Sequence, residues 1–147
     1  MTGAEKLFVD TNILVYATHS RSPWHQQALE SLDDARERGV ELVLSPQILR
    51  EYLAVTTRNL PASDPRRAHL LENVSIFQQE FRIAEENLAV SVQLIHLVEA
   101  YRVSGKQVHD ANIVSSMLTQ GIERILTNNE DDFARFRKLI RVLPLAS

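Results

Sequence analysis

The stretch Leu7-Phe8-Val9-Asp10-Thr11-Asn12 decides the fold of this chain. Three apolar residues end on an acid, two small polar residues follow, and a new apolar period begins at Ile13. A short apolar run followed by turn chemistry and a helical pattern predicts a buried strand that leads into a helix. Asp10 would then lie at the carboxyl end of the strand, where open α/β sheets bind ligands. Because a buried charge is costly unless it is paired or binds a cation, we expect Asp10 to hold a divalent metal.

Size and composition set the limits of the interpretation. The chain has 147 residues, of which 44% are hydrophobic and 24% charged, so we expect one soluble globular domain over residues 1–147. A formal net charge of −3 gives no general attraction to nucleic acid, so an anionic substrate would need a local basic patch or a bound metal. The absence of cysteine excludes disulfides and thiolate zinc sites. Without a long apolar run or a signal-peptide pattern, the expected location is the cytoplasm, away from the membrane.

Apolar runs alternate with helical periods along the rest of the chain. The predicted strands are residues 7–9, 40–44, 82–84, 125–126 and 140–143. Helical periods occupy residues 13–17, 24–35, 48–55, 68–81, 88–101 and 110–120, and a helical turn follows at 133–136. Ser22-Pro23 and Ser45-Pro46 are typical of helix caps with proline in the first turn. The alternation predicts a three-layer α/β/α sandwich around a mainly parallel sheet of four to five strands.

Acids at strand ends and near helix starts are the candidate chemical groups. Asp10 ends the first strand, and Asp131 and Asp132 follow the strand at 125–126. Glu51 lies about a turn and a half into the helix that Ser45-Pro46 opens, within ~10 Å of the strand end by the helical rise. Asp110 begins its own helix. All these regions can converge at one edge of a parallel sheet.

Such a cluster favours a bound cation, because carboxylates so close repel one another. Oxygen ligands favour Mg²⁺ or Mn²⁺, which can activate water and stabilise charge on a phosphoryl oxygen. Alternatives stay open for each acid taken alone. Asp110 at a helix start is typical of a cap or a dipole partner, and Glu51 is typical of a solvated helix face.

Four motifs in this order resemble those of PIN-domain ribonucleases, in particular the VapC type that acts as the toxin of bacterial and archaeal toxin–antitoxin pairs. The motifs are Phe8-Val9-Asp10-Thr11-Asn12, Ser45-Pro46 followed by Glu51, Val108-His109-Asp110-Ala111, and residues 126–133 (LTNNEDDF). The resemblance covers essentially the whole chain. It implies an α/β/α sandwich, cleavage of RNA dependent on Mg²⁺ or Mn²⁺, a neutralising antitoxin and a homodimer.

The resemblance also implies roles for individual acids. Asp10 and Asp110 match the family's core metal acids, and Glu51 matches the acid on the third helix. The fourth acid is less well defined, since family members often carry an aspartate where this chain has Asn129. A common variant of the motif places the acid at Asp132, which we favour over Asp131. The implied catalytic set is therefore Asp10, Glu51, Asp110 and Asp132.

Polar residues around these acids match groups that orient the acids or the waters of the metal. They are Thr11, Asn12, Ser45, Thr127 and Asn129. Two groups of cations are candidates for holding RNA. The first is Arg58, Arg66 and Arg67, and the second is Arg135, Arg137, Lys138 and Arg141. Trp24 is expected to pack at its helix start rather than stack on a base. Apolar residues on helices at 24–38 and 50–58 form a candidate groove for an antitoxin segment.

Two other functions compete with the nuclease. In a phosphohydrolase that uses Asp10 as a nucleophile, a second acid is expected two residues later, where this chain has Asn12, and Lys138 is poorly placed to assist. A PIN-like scaffold that binds RNA or protein without cutting it is usually marked by the loss of one acid. Asn129 is the position that hints at such a loss, and Asp132 can compensate for it.

Overall fold

The computed structural model describes residues 4–145, and its sheet has five strands in the order β3-β2-β1-β4-β5. All four strand pairings are parallel. The strands are β1 (Lys6–Val9), β2 (Glu41–Leu44), β3 (Arg82–Ile83), β4 (Arg124–Leu126) and β5 (Arg141–Leu143). The prediction of a mainly parallel sheet with four to five strands is therefore confirmed, and the number of strands is five.

Helices connect the strands in two groups. Before β3 lie α1 (Thr11–Thr18), α2 (His25–Glu37), α3 (Pro46–Thr57) and α4 (Arg66–Glu80). After β3 lie α5 (Leu88–Tyr101), α6 (Gln107–Thr119) and a 3₁₀ helix (Glu130–Phe136). In residues 4–145, no helix is long and apolar enough to span a membrane. Since α1 packs against α2 and α3, while α5 packs against α6, the two groups form the outer layers of the α/β/α sandwich.

The direction of chain progress reverses beside β1. From β1 the chain moves outward through β2 to β3, and then crosses to β4 on the other side of β1. Because crossovers between parallel strands are right-handed, connections that run in opposite directions lie on opposite faces of the sheet. Open α/β sheets bind ligands in the crevice at such a reversal, outside the carboxyl ends of the strands. The crevice here lies between the ends of β1 and β4.

The central strands are buried, as expected for a parallel sheet that is covered on both faces. Phe8 and Val9 of β1 and Ile125 of β4 have no exposed surface. Val9 pairs with Leu126, so the next residues, Asp10 and Thr127, emerge side by side at the sheet edge. The sequence pattern that placed Asp10 at a strand end is confirmed.

Two helix starts and one helix cap differ from the expected ones. α3 begins at Pro46, but the backbone N–H of Gln47 donates to Glu86 (2.6 Å), and Ser45 makes no side-chain cap bond. A carboxylate also complements the helix dipole at this end. α2 begins at His25 rather than at Pro23. α6 begins at Gln107, three residues before the expected start, so Asp110 lies within its first turn.

Candidate active site

The four acids singled out above line one cleft of about 690 Å³ at the carboxyl ends of β1 and β4. Asp10 comes from the end of β1, Glu51 from α3, Asp110 from α6 and Asp132 from the 3₁₀ helix. Other residues that line the cleft are Thr11, Asn12, Val15, Tyr16, Ala54, Val55, Arg58, His109 and Asn129. Residues up to 122 positions apart therefore meet, as the convergence at one sheet edge predicted.

Asp10 is held by hydrogen bonds from three neighbours. Its Oδ1 accepts from the backbone N–H of Thr11 (2.8 Å), and its Oδ2 accepts from the hydroxyl of Thr127 (2.7 Å) and the amide of Asn12 (3.3 Å). The Thr127 hydroxyl in turn accepts from the Asn12 amide (3.2 Å) and from the backbone N–H of Asn129 (3.0 Å). These bonds fix the carboxylate in orientation, and only 6% of Asp10 is exposed.

Glu51 is fixed from both sides. Its Oε2 accepts from the Thr11 hydroxyl (2.9 Å) and its Oε1 from the side-chain amide of Gln47 (2.8 Å). The same Gln47 amide group donates to the carbonyl of His109 (2.9 Å), and the Gln47 oxygen accepts from Asn112 (2.6 Å). Gln47 thus bonds the helix of Glu51 to the helix of Asp110. It is buried and was not singled out in the sequence; its position four residues before Glu51 on α3 was the available signal.

If the chain cleaves RNA, as the motif resemblance implies, replacing Gln47 by methionine is expected to lower that activity about 10- to 100-fold, mainly in kcat, because Glu51 loses the partner that orients it. Unpaired groups on His109 and Asn112 also cost about 1–3 kcal/mol of stability. Cleavage rates and thermal unfolding check both effects. Gln26→Met is the matched control, since Gln26 also donates to a glutamate four residues later (Glu30, 3.1 Å) but on an exposed face. Equal effects of the two substitutions would contradict the positioning role of Gln47.

Burial and mutual repulsion act on the acids of the cleft. Burial, opposed by the hydrogen bonds from Thr127 and Thr11, raises the pKa of Asp10 from its ordinary 3.8 to about 6. Burial also raises the pKa of Asp110 to about 7, and the charges of Asp132, Asp10 and Glu51 add to this rise, while Arg135 opposes it. None of the ion pairs found in residues 4–145 contains any of the four acids. The cleft therefore brings together acidic side chains that form no ion pair with a basic side chain of residues 4–145.

The other predicted residues differ in where they lie. Asn129 and Asp132 line the cleft and also a neighbouring depression, whereas Asp131 lines the depression but not the cleft. Asp131 and Asp132 are both exposed. Ser45 is buried and does not line the cleft, and its hydroxyl has no hydrogen-bond partner among residues 4–145, so the structure does not join it to the acids. The roles of these residues in catalysis stay predictions.

The chain is similar to known proteins over most of its length. The family model of the PIN domain matches residues 7–139. Ribonuclease VapC24 of Mycobacterium tuberculosis is 29% identical over 137 residues, which cover 88% of this chain and 90% of the relative.

Solved structures show the same fold. A chain in the crystal structure of VapBC2 from Rickettsia felis, bound to a DNA fragment from its promoter, matches with a TM-score of 0.72 and 18% identity, covering 96% of this chain and 99% of that one. VapC20 of Mycobacterium tuberculosis, a toxin that cleaves the sarcin-ricin loop, matches with a TM-score of 0.64 and 15% identity, covering 81% and 86%. The resemblance that the four motifs carried is confirmed, and this chain belongs to the PIN-domain family.

Proposed function

We propose that this chain is a metal-dependent endoribonuclease that hydrolyses RNA phosphodiester bonds and acts as the toxin of a toxin–antitoxin pair. The observation that carries the proposal is the meeting of four carboxylates, from four separate elements, in one cleft where none of them has an ion-pair partner among residues 4–145. The PIN-domain match and the VapC names of the relatives support both the reaction and the toxin role.

The residues of the cleft fit a divalent cation. The donors are carboxylate oxygens, which Mg²⁺ and Mn²⁺ prefer, and a cation would offset the burial and the mutual repulsion that raise the pKa of Asp10 and Asp110. In residues 4–145 no three acid or histidine side chains are arranged to hold a metal directly. Mg²⁺ keeps several waters and takes one or two carboxylates, so two acids suffice as its direct protein contacts. We assign the direct contacts to Asp10 and Asp110.

The chain's own residues then have separate tasks. When bound, the cation supplies charge stabilisation at the phosphoryl oxygens and lowers the pKa of water. Thr127 and Asn12 donate hydrogen bonds to the Asp10 carboxylate (2.7 and 3.3 Å) and hold it in one orientation. The carboxylate therefore needs little movement to contact a bound cation during the reaction. Glu51, held by Thr11 and Gln47, and Asp132 would help to hold a second cation or orient the water that attacks phosphorus in line with the leaving oxygen.

Arg58 is the cation best placed to hold the RNA backbone. It lines the cleft, and it belongs to none of the ion pairs found in residues 4–145. Arg66, by contrast, is paired with Asp64 at 2.7 Å. Arg135 is close enough to oppose the rise in the pKa of Asp110, so it also belongs to the electrostatic surroundings of the cleft.

Replacing Arg58 by glutamine is expected to raise KM for RNA roughly fivefold with little change in kcat, because a phosphate contact adds binding without touching the reacting bond. The slope of log binding constant against log salt should fall in magnitude by about 1. Arg67→Gln is the matched control, since Arg67 is a neighbouring arginine on α4 that does not line the cleft. An equal change in salt slope for both variants would contradict the assignment.

An antitoxin segment is proposed for a second cavity. This groove, of about 350 Å³, lies between α1, α3 and α4, and its apolar residues include Val15, Val55, Leu60 and Leu70. It uses α3, as the sequence suggested, but no residue of the helix at 24–38 lines it. An apolar groove between helices suits an amphipathic segment of a partner.

A homodimer, which the family resemblance implies, stays a prediction that sedimentation of the purified chain can test.

The proposal is tested by incubating purified protein with RNA in Mn²⁺ and in a chelator. Cleavage in Mn²⁺, its loss in chelator and its recovery on adding metal back are the expected results. No cleavage of any RNA in Mn²⁺ would favour the scaffold. A phospho-aspartate trapped at Asp10 would favour the nucleophile mechanism. Growth arrest on expression, relieved by Asp110→Asn, tests the toxin role separately.

A further inference from the structure

An aromatic pair lies at the rim of the acidic cleft. The ring of Tyr16, which lines the cleft, lies 4.9 Å from the ring of Trp24, with 38° between the ring planes. We propose that Tyr16 and Trp24 form a base-stacking subsite that holds an unpaired RNA base beside the bond to be cleaved. The inference rests on the proposed ribonuclease function and adds the residues that select single-stranded substrate.

The exposure of Trp24 is the first step. The other residues on its stripe of α2, namely Ala28, Leu32 and Ala35, are buried in the core. Trp24 precedes the helix and packs against Tyr16, as expected, yet it is 42% exposed. Trp24 therefore keeps exposed area, and its ring contacts Tyr16, which lines the cleft. Exposed aromatic rings are the groups on which proteins stack single-stranded bases.

The pair is held in place before any substrate binds. The Tyr16 hydroxyl accepts from the Asn128 side chain (3.3 Å), and the Asn128 backbone N–H donates to Asn12 (3.1 Å), the residue whose amide also reaches Asp10. On the other side, the backbone N–H of Trp24 donates to the Ser22 hydroxyl (3.2 Å). A preorganised surface loses less entropy on binding. The subsite is thereby tied to the residues that orient the acids.

The electrostatics of the cleft give stacking its importance. The chain carries a net charge of −3, four acids line the cleft, and Arg58 is the one arginine or lysine among the cleft-lining residues that the structure describes. Phosphate contacts supply most of the affinity for RNA where many basic side chains line the binding site. Among the residues that line this cleft, Arg58 is the one such side chain. Stacking is independent of charge and is available only to unpaired bases.

Trp24 is the only tryptophan of the sequence, so its fluorescence reports directly on the subsite. The Asp110→Asn variant, which keeps RNA intact, is titrated in Mg²⁺ with hexa-adenylate and, in parallel, with an abasic ribose-phosphate hexamer. We expect saturable quenching by hexa-adenylate and none by the abasic strand at the same concentrations. In the cleaving enzyme, Trp24→Leu should raise KM about tenfold with kcat within twofold. Trp24→Phe should restore most of the affinity.

The controls separate this inference from the proposed function. Ile95→Ala removes an exposed apolar side chain on α5 (66% exposed), and it should leave KM unchanged. Unquenched Trp24 emission together with an unchanged KM in Trp24→Leu overturns the subsite, while RNA cleavage continues. Absence of cleavage in the otherwise unmodified chain overturns the ribonuclease, whatever Trp24 does. Equal quenching by both strands also overturns the subsite, because it would show that the base is not needed.

Discussion

Replacing Asp10 by asparagine is expected to lower RNA cleavage roughly a hundred- to a thousandfold without unfolding the protein, as losing one preorganised electrostatic group does elsewhere. The amide keeps the shape of the side chain, and its oxygen can still accept from the backbone N–H of Thr11 (2.8 Å in the parent). What disappears is the negative charge that Asp10 contributes to the metal contact. Initial rates in Mn²⁺ and circular dichroism of the same samples measure the two properties.

The pair Asp131 and Asp132 provides the matched control for this class of substitution. Asp132 lines the cleft and raises the pKa of Asp10 and Asp110, whereas its neighbour Asp131 lies outside the cleft. Asp132→Asn should therefore impair cleavage, and Asp131→Asn should leave it within about twofold, as expected for a surface change. Full metal-dependent cleavage by a folded Asp10→Asn variant, or an equal loss from both neighbouring acids, would contradict the proposed site.

The metal-free protein is expected to lose stability as the pH rises from about 4 to about 7. The folded-state pKa of Asp10, about 6, lies above its ordinary 3.8, so the folded state binds the proton more tightly than the unfolded state. This contribution is fully present below pH 3.8 and is lost as the pH rises through 6. For Asp10 the loss corresponds to about 3 kcal/mol. Asp110, whose pKa is raised to about 7, acts in the same direction over a wider range.

Thermal unfolding in chelator at pH 5 and pH 7.5 checks this sign. Asp10→Asn should raise Tm at pH 7.5 by a few degrees, and the difference in Tm between pH 5 and pH 7.5 should become smaller than in the parent. Adding Mn²⁺ at pH 7.5 should raise Tm of the parent and not of the variant. Asp64→Asn is the opposite control, since hydrogen bonds from Arg66 lower the pKa of Asp64 to about 2 and its contribution is lost only in acid. A parent whose metal-free Tm is higher at pH 7.5 than at pH 5, and falls in Asp10→Asn, would contradict the expectation.

The sequence predicts those site residues whose position follows from the neighbouring residues along the chain. Leu7, Phe8 and Val9 form an apolar run that ends on Asp10, and this pattern alone places an acid at the end of a buried strand. Strand pairing then sets Thr127 beside Asp10. The strand order is not contained in any local pattern, because the crossover from β3 to β4 joins distant segments. The switch beside β1 becomes visible only in the fold.

The residues that sequence reasoning missed depend on contacts between distant segments. Gln47 resembles a helix-surface residue in the sequence, but its partners His109 and Asn112 lie 62 and 65 positions away. The expected side-chain cap bond of Ser45 is also replaced by a contact between distant segments. The backbone N–H of Gln47 donates to Glu86, which lies 39 positions away. Asp131 and Asp132 differ only in their phase on a short 3₁₀ helix, which composition does not encode.

Binding of Mn²⁺ to the purified chain at pH 7.5 tests the central claim most directly, because free Mn²⁺ gives an electron paramagnetic resonance signal that disappears on binding. We expect saturable binding by the parent, loss of that binding in Asp10→Asn and in Asp110→Asn, and unchanged binding in Asp131→Asn, whose side chain lies outside the cleft. Absence of saturable binding in the parent, or equal binding in all four proteins, would contradict a metal site built from these carboxylates.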